Sequence, residues 1–221
     1  MSRSYEQICH IARALDVLGE RWTLLIVREL TLGPRRYSDL LDALPGMGTS
    51  LLAARLKHLG AHDVVRRTTL RGPGHAAAYE LGARGEALMP LLASLASWGG
   101  GLGPPPAGYT DRAAWSLVAM RLTAPGEAAG FTTLTELVVG DETLWLQGDG
   151  EQVRAETGPA PVRPGMRLVC EKTTLYALAR GRVRVDDAIA SGDLVVEGDA
   201  DTARLFFELF TLTNGGHPTP S

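Results

Sequence analysis

Apolar positions recur at helical spacing through the front of the chain, then give way to short alternating runs. In residues 8–18, Ile8, Ile11, Leu15 and Leu18 fall on one face of the helical period, which predicts an amphipathic helix ended by Gly19. Residues 22–32 are apolar nearly all round, so the second predicted helix is a buried one, stopped by Gly33 and Pro34. Residues 37–44 predict a short third helix with Ser38 as its N-cap. After a turn at 45–48, residues 49–59 predict a fourth helix, capped by Thr49 or Ser50 and with Gly60 just past its end. Residues 64–70 and 78–81 alternate like the strands of a hairpin whose tip is 71–75. Residues 84–98 predict a last amphipathic helix.

Helix, tight turn, helix and a strand pair with a basic, glycine-rich tip is the winged helix-turn-helix order. The major groove admits one helix, and the N-terminal residues of the second helix of such a pair reach base edges. With Leu52, Leu56 and Leu59 turned to the core, the opposite face carries Ser50, Ala53, Ala54, Lys57 and His58, with Arg55 at the flank. These side chains are small or cationic, as close approach to DNA requires. The candidate DNA contacts are Arg36, Ser38, Thr49, Ser50, Ala54, Arg55, Lys57 and His58, with Arg71 and His75 at the wing tip. An isolated helix with this composition would simply be a solvated surface helix. The turn and the wing beside it favour the DNA reading.

Residues 99–110 are rich in glycine and proline and read as a linker. They separate a front domain, 1–98, from a back domain, 111–215. In the back domain, strands are expected at 115–123, 132–139, 143–147, 151–155, 166–171 and 194–197. Helices are expected at 175–180, 185–191 and 201–212, the last capped by Asp199 or Asp201. The whole is α+β. Trp115, Trp145, Tyr176, Phe206 and Phe210 are candidate walls of an apolar ligand pocket, with ordinary core packing as the alternative. Cys170 lies in an apolar strand-like run and is expected in the core.

At 45% hydrophobic, the 221-residue chain can bury a core, which excludes wholesale disorder. No run approaches the roughly 18 apolar residues of a membrane helix. The first ten residues lack the apolar stretch of a signal peptide, so a cytoplasmic protein is expected. The net charge of −3 argues against nucleic acid, but its distribution does not: residues 1–100 carry +3 and residues 101–221 carry −6. Two cysteines are too few for a disulfide framework. The sequence shows no metal-ligand cluster, phosphate loop or nucleophile elbow, so neither an enzyme nor a cofactor is expected. His58 and His62 share helical spacing, but without further ligands they make no zinc site.

Cys9, the run ALDVLGERWTLLIVREL at 14–30 and GPRRYSDL at 33–40 resemble the HxlR-type family of bacterial transcriptional regulators. Leu52, Arg55, Lys57, Leu59, Tyr79, Leu81, Gly85 and Leu88 fit the same template, so the likeness covers about residues 8–100. It implies a dimeric winged-helix repressor of double-stranded DNA, paired through helices 8–18 and 84–98. The family often has proline after its N-terminal cysteine, where this chain has His10, and Leu-Thr where it has Leu81 and Gly82. In some relatives that cysteine is a redox switch. A thiol at a helix N-terminus can have a lowered pKa, so Cys9 is a candidate redox residue, with simple packing as the alternative. The run AIASGDLVVEGD at 188–199, with Leu175 and Leu178 before it, resembles sterol-carrier-protein-like domains. That likeness implies a sheet and helices enclosing a lipid-sized cavity, and so a sensor of a small apolar ligand. A lipid carrier, or a domain that only spaces or dimerises, is the alternative.

Overall fold

The computed structural model describes residues 4–70, 76–102 and 108–212. The expected wing tip, with Arg71 and His75, lies outside the described residues. The chain divides into two compact units, Met1–Leu92 and Ala93–Ser221.

The first unit runs α1 (His10–Leu18), α2 (Thr23–Leu30), β1 (Arg35–Arg36), α3 (Tyr37–Ala43), α4 (Thr49–Ala61), β2 (Val65–Thr69), β3 (Ala77–Leu81) and α5 (Ala83–Glu86). Helix α6 (Met89–Gly100) begins in this unit and ends in the other. The strands form an antiparallel sheet in the order β1-β3-β2, with Tyr79 registered between Arg35 and Arg67. Ile26, Val27, Leu40, Leu52, Leu59 and Val65 fill the core. Gly85 sits where a Cβ would strike the Val64 carbonyl oxygen, so only glycine lets α5 close against that backbone.

Several expectations are corrected here. Ser38 is not an N-cap; Arg36 holds that position, and the Asp39 carboxylate accepts its backbone N–H at 3.1 Å. The N-cap of α4 is Gly48 rather than Thr49 or Ser50, and Gly60 lies inside the helix. The expected helix 84–98 is broken at 87–88 into α5 and α6. Gly99 and Gly100, expected to open the linker, close the last turn of α6. The helix expected at 8–18 is present as α1, and of its apolar stripe only Leu18 is buried within the unit, with Ile8, Ile11 and Leu15 95%, 71% and 43% exposed.

The second unit continues with α7 (Ala113–Thr123), a short 3-10 turn at Gly126–Gly130, β4 (Thr135–Val139), β5 (Glu142–Gly148), β6 (Val153–Thr157) and β7 (Met166–Cys170). Then come α8 (Lys172–Ala179), α9 (Val185–Ser191), β8 (Leu194–Glu197) and α10 (Ala200–Leu209). The sheet order is β6-β5-β4-β7-β8, antiparallel except for the parallel β4–β7 pair at its centre. Thus the strand expected at 115–123 is instead a helix. Its apolar run is long because Ala113, Ala114, Leu117, Val118 and Met120 are all buried, where α7 packs on β5 and β6. A short apolar run carries no period that separates a buried helix from a buried strand. Glu142 on β5 fixes the start of α7, accepting the N–H of Ala113 at 2.8 Å and of Ala114 at 3.4 Å. The Lys172 ammonium lies 3.2 Å from the same carboxylate. Asp199 caps α10 as expected, accepting the Thr202 N–H at 2.7 Å.

Candidate functional site

The α3–α4 pair is fixed at its turn. Gly46 supplies a φ of +89° that other residues rarely adopt. The Tyr37 hydroxyl then donates to the Thr49 carbonyl at 2.5 Å, tying the start of α3 to the start of α4. Leu52, Leu56 and Leu59 seat α4 in the core, and Thr49, Ser50, Ala53, Ala54 and Lys57 are exposed on its far side. That surface has small side chains at the N-terminal end and one ammonium a turn later.

Two residues expected on this face have partners inside the unit. Arg55 is only 18% exposed and donates to Glu20 at 2.7 Å. The His58 Nε2 lies 3.2 Å from the Val17 carbonyl, and its ring meets His62 edge-on at 4.9 Å. Both anchor α4 to the segment that ends α1. Arg36 and Ser38 are exposed at the start of α3. Sequence reasoning missed Arg66 and Arg67, both exposed on β2. Arg66 pairs with Glu80 at 2.9 Å, and Arg67 lies over the Tyr79 ring at 5.9 Å. Their adjacency in an alternating strand was the available signal.

Cys9 is exposed at the N-cap position of α1. The backbone N–H groups of Ala12 and then Ile11 stabilise its thiolate and hold its pKa below the ordinary thiol value. Cys170 is the opposite case: burial, then the charge of Glu171, pushes its pKa up to about 11.

The five aromatic candidates of the back domain separate. Trp115 and Tyr176 line a hollow of about 210 Å³ in the second unit, together with Ala119, Thr123 and Arg180. Phe206 and Phe210 are fully buried and pack edge-on against Phe131, both at 5.8 Å, so they belong to the core. Trp145 is buried on β5 between Leu144 and Leu146, and so points to the opposite face of the sheet from both. Arg180, which the sequence did not single out, lies with its guanidinium 4.7 Å over the Tyr176 ring. Among the described residues there is no group of three His, Cys, Asp or Glu able to hold a metal. Nor is any described helix long and apolar enough to cross a membrane.

Helices α2, α3 and α4, the tight turn between the last two and a three-stranded wing sheet define the first unit as a winged helix-turn-helix. The chain belongs to the HxlR-like helix-turn-helix family, which matches residues 17–105. It is 39% identical over 88 residues to the HTH-type transcriptional regulator sll1512 of Synechocystis, covering 40% of this chain and 65%, just under two thirds, of that one. It is 36% identical over 86 residues to the HTH-type transcriptional regulator YvaP of Bacillus subtilis, covering 39% of this chain and 80% of that one. The solved reduced form of the transcriptional regulator YodB from B. subtilis is 29% identical, with a TM-score of 0.39, over 45% of this chain and 99% of that one.

Proposed function

We propose that this chain is a DNA-binding transcription regulator that acts as a homodimeric repressor, with α4 as its reading helix. The observation that carries this reading is the exposed face of Thr49, Ser50, Ala53, Ala54 and Lys57, held out by a buried leucine stripe. A dimer presents two such helices to a two-fold site, with half-sites about one helical turn apart or a multiple of it. Ile11 and Leu15 on α1, and Leu91 on α6, supply exposed apolar surface for the pairing. The test is fluorescence anisotropy with the DNA upstream of the chain's own gene. Lys57→Ala weakens binding by about 1–3 kcal/mol if Lys57 meets a base, or lowers the salt slope by about one if it meets phosphate. Unchanged affinity and slope would remove α4 from the interface.

In the same reading, the second unit senses a small, largely apolar molecule. Its sheet with helices, its sterol-carrier-like segment at 188–199 and the hollow at Trp115 and Tyr176 support this role. A ligand changes DNA affinity only if it binds the two states unequally. One observation favours a second input, redox sensing at Cys9: its exposed thiol is held in thiolate-favouring surroundings by two backbone N–H groups.

A further inference from the structure

We propose that Arg21 is a DNA phosphate contact, held ready beside the N-terminal end of α4. This rests on the reading of α4 as the helix that enters the groove and adds a residue to that interface. The place of Arg21 follows from three contacts of the segment that joins α1 to α2. The Val17 carbonyl lies 3.2 Å from the His58 ring nitrogen, late in α4. The Glu20 carboxylate accepts from the Arg55 guanidinium at 2.7 Å, about one turn earlier. The Trp22 ring lies 3.8 Å from where a Cβ on Gly46 would stand, in the turn before α4 begins. The segment therefore runs back along one flank of α4 and reaches its start at residues 21 and 22.

The chemistry of the side chain fits that place. Arg21 is exposed, and its guanidinium lies over the Trp22 ring at 5.1 Å. Among the described residues no carboxylate pairs with it. Its neighbour on the same flank differs: Arg55 is taken up by Glu20, so the positive charge turned outward there is that of Arg21. A guanidinium stacked on a ring leaves its N–H edges open, the geometry that matches a phosphate. Stacking also orders the side chain before DNA arrives, so less freedom is lost on contact. The ring beneath it is itself fixed. Trp22 has a φ of +79°, a conformation that a bulky residue holds only where the surrounding fold imposes it, and such residues gather at functional sites. When the N-terminal residues of α4 reach base edges, a cation beside them faces the backbone that borders the groove. Contacts of that kind fix register and orientation and carry no sequence information.

The experiment is fluorescence anisotropy of the full chain with the DNA upstream of its own gene and with an unrelated duplex, each across a range of salt. Arg21→Gln is expected to weaken both by the same factor, roughly three- to tenfold per bound subunit at about 0.1 M salt, and to lower the salt slope by about one per subunit. Arg21→Lys keeps the charge and should keep the slope, with circular dichroism confirming the fold of each variant. A second readout locates the contact: phosphates of the upstream duplex are replaced one at a time by neutral methylphosphonate. One replacement beside each half-site should weaken the parent chain and cost Arg21→Gln nothing further. A replacement profile shared by the parent and Arg21→Gln, or an unchanged salt slope, would overturn the proposal. So would a slope lost as fully in Arg21→Lys as in Arg21→Gln, which would assign the effect to packing on Trp22. Lys57→Ala separates this proposal from the reading beneath it. Binding unchanged in Lys57→Ala but lost as expected in Arg21→Gln removes α4 and leaves the phosphate contact standing; the reverse pair of results removes Arg21 and keeps α4. No DNA binding by the parent chain overturns both.

Discussion

At the scale of single residues, the two cysteines test the electrostatics most directly. Cys9 is exposed, with its thiolate stabilised by the N–H groups of Ala12 and Ile11. Cys170 is buried with its pKa pushed up to about 11, so at pH 8 roughly one Cys170 in a thousand is thiolate. A short pulse of iodoacetamide on the native protein should label Cys9 and spare Cys170, read by peptide mass spectrometry; equal labelling would contradict both environments. The sign for stability follows from the raised value. Well below pH 9 the thiol is protonated whether the chain is folded or not. As pH rises from 9 toward 11 the unfolded chain loses a proton that the fold keeps, so the contribution of Cys170 to stability is lost there. This scale also shows where sequence reading stops. A helical wheel places Arg55 and His58 beside Lys57, but it cannot show Glu20, 35 residues away, or the Val17 carbonyl, 41 away. Those partners are tertiary, and no local pattern encodes them.

At the scale of elements, the helices with a polar face were the most legible. The apolar periods of α1 and α10, and the Leu52, Leu56 and Leu59 stripe of α4, place these helices within a few residues, because an apolar face set against a polar one is readable at the helical period. Helix α7 lost that contrast because it is buried on several sides, and WSLVAMRLT then resembles a strand. Strand β1 has two residues and exists only because β3 offers it an edge, so nothing in Arg35 and Arg36 announces it. The proposed dimer surface is an element-scale matter as well. Ile11, 71% exposed on α1, is the central residue of a stripe that the first unit does not bury. Ile11→Lys should shift sedimentation toward the mass of one chain while leaving the thermal midpoint of the first unit nearly unchanged. A full-sized dimer in that variant would place the interface elsewhere.

At the scale of the whole molecule, charge is partitioned along with the fold: +3 in the front part, −6 in the back. DNA therefore meets attraction from one unit and repulsion from the other, both screened within a Debye length of about 10 Å at 0.1 M salt. A chain ending at Leu102 should bind non-specific DNA more tightly than the full chain at low salt. The difference should fade as salt rises. A difference that persists at high salt would point to steric masking of the proposed reading helix instead of charge.

The parallel pairing of β4 with β7 has a consequence for the time order of folding. The β2–β3 hairpin of the wing sheet joins neighbours in the chain, whereas Arg35 meets Tyr79 across a longer loop, and Leu137 cannot meet Leu168 until the β5–β6 segment has been laid down between them. Loop closure must precede the reward of such a distant pair, so topologies rich in these pairs assemble slowly. During synthesis the first unit is complete before β7 has been made, and on dilution from denaturant its tryptophan, Trp22, should report before Trp145 of the central sheet does. Two kinetic phases are expected in stopped-flow fluorescence, the slower one removed in a chain that ends at Leu102. In the interval between them the winged helix-turn-helix unit exists folded without the second unit.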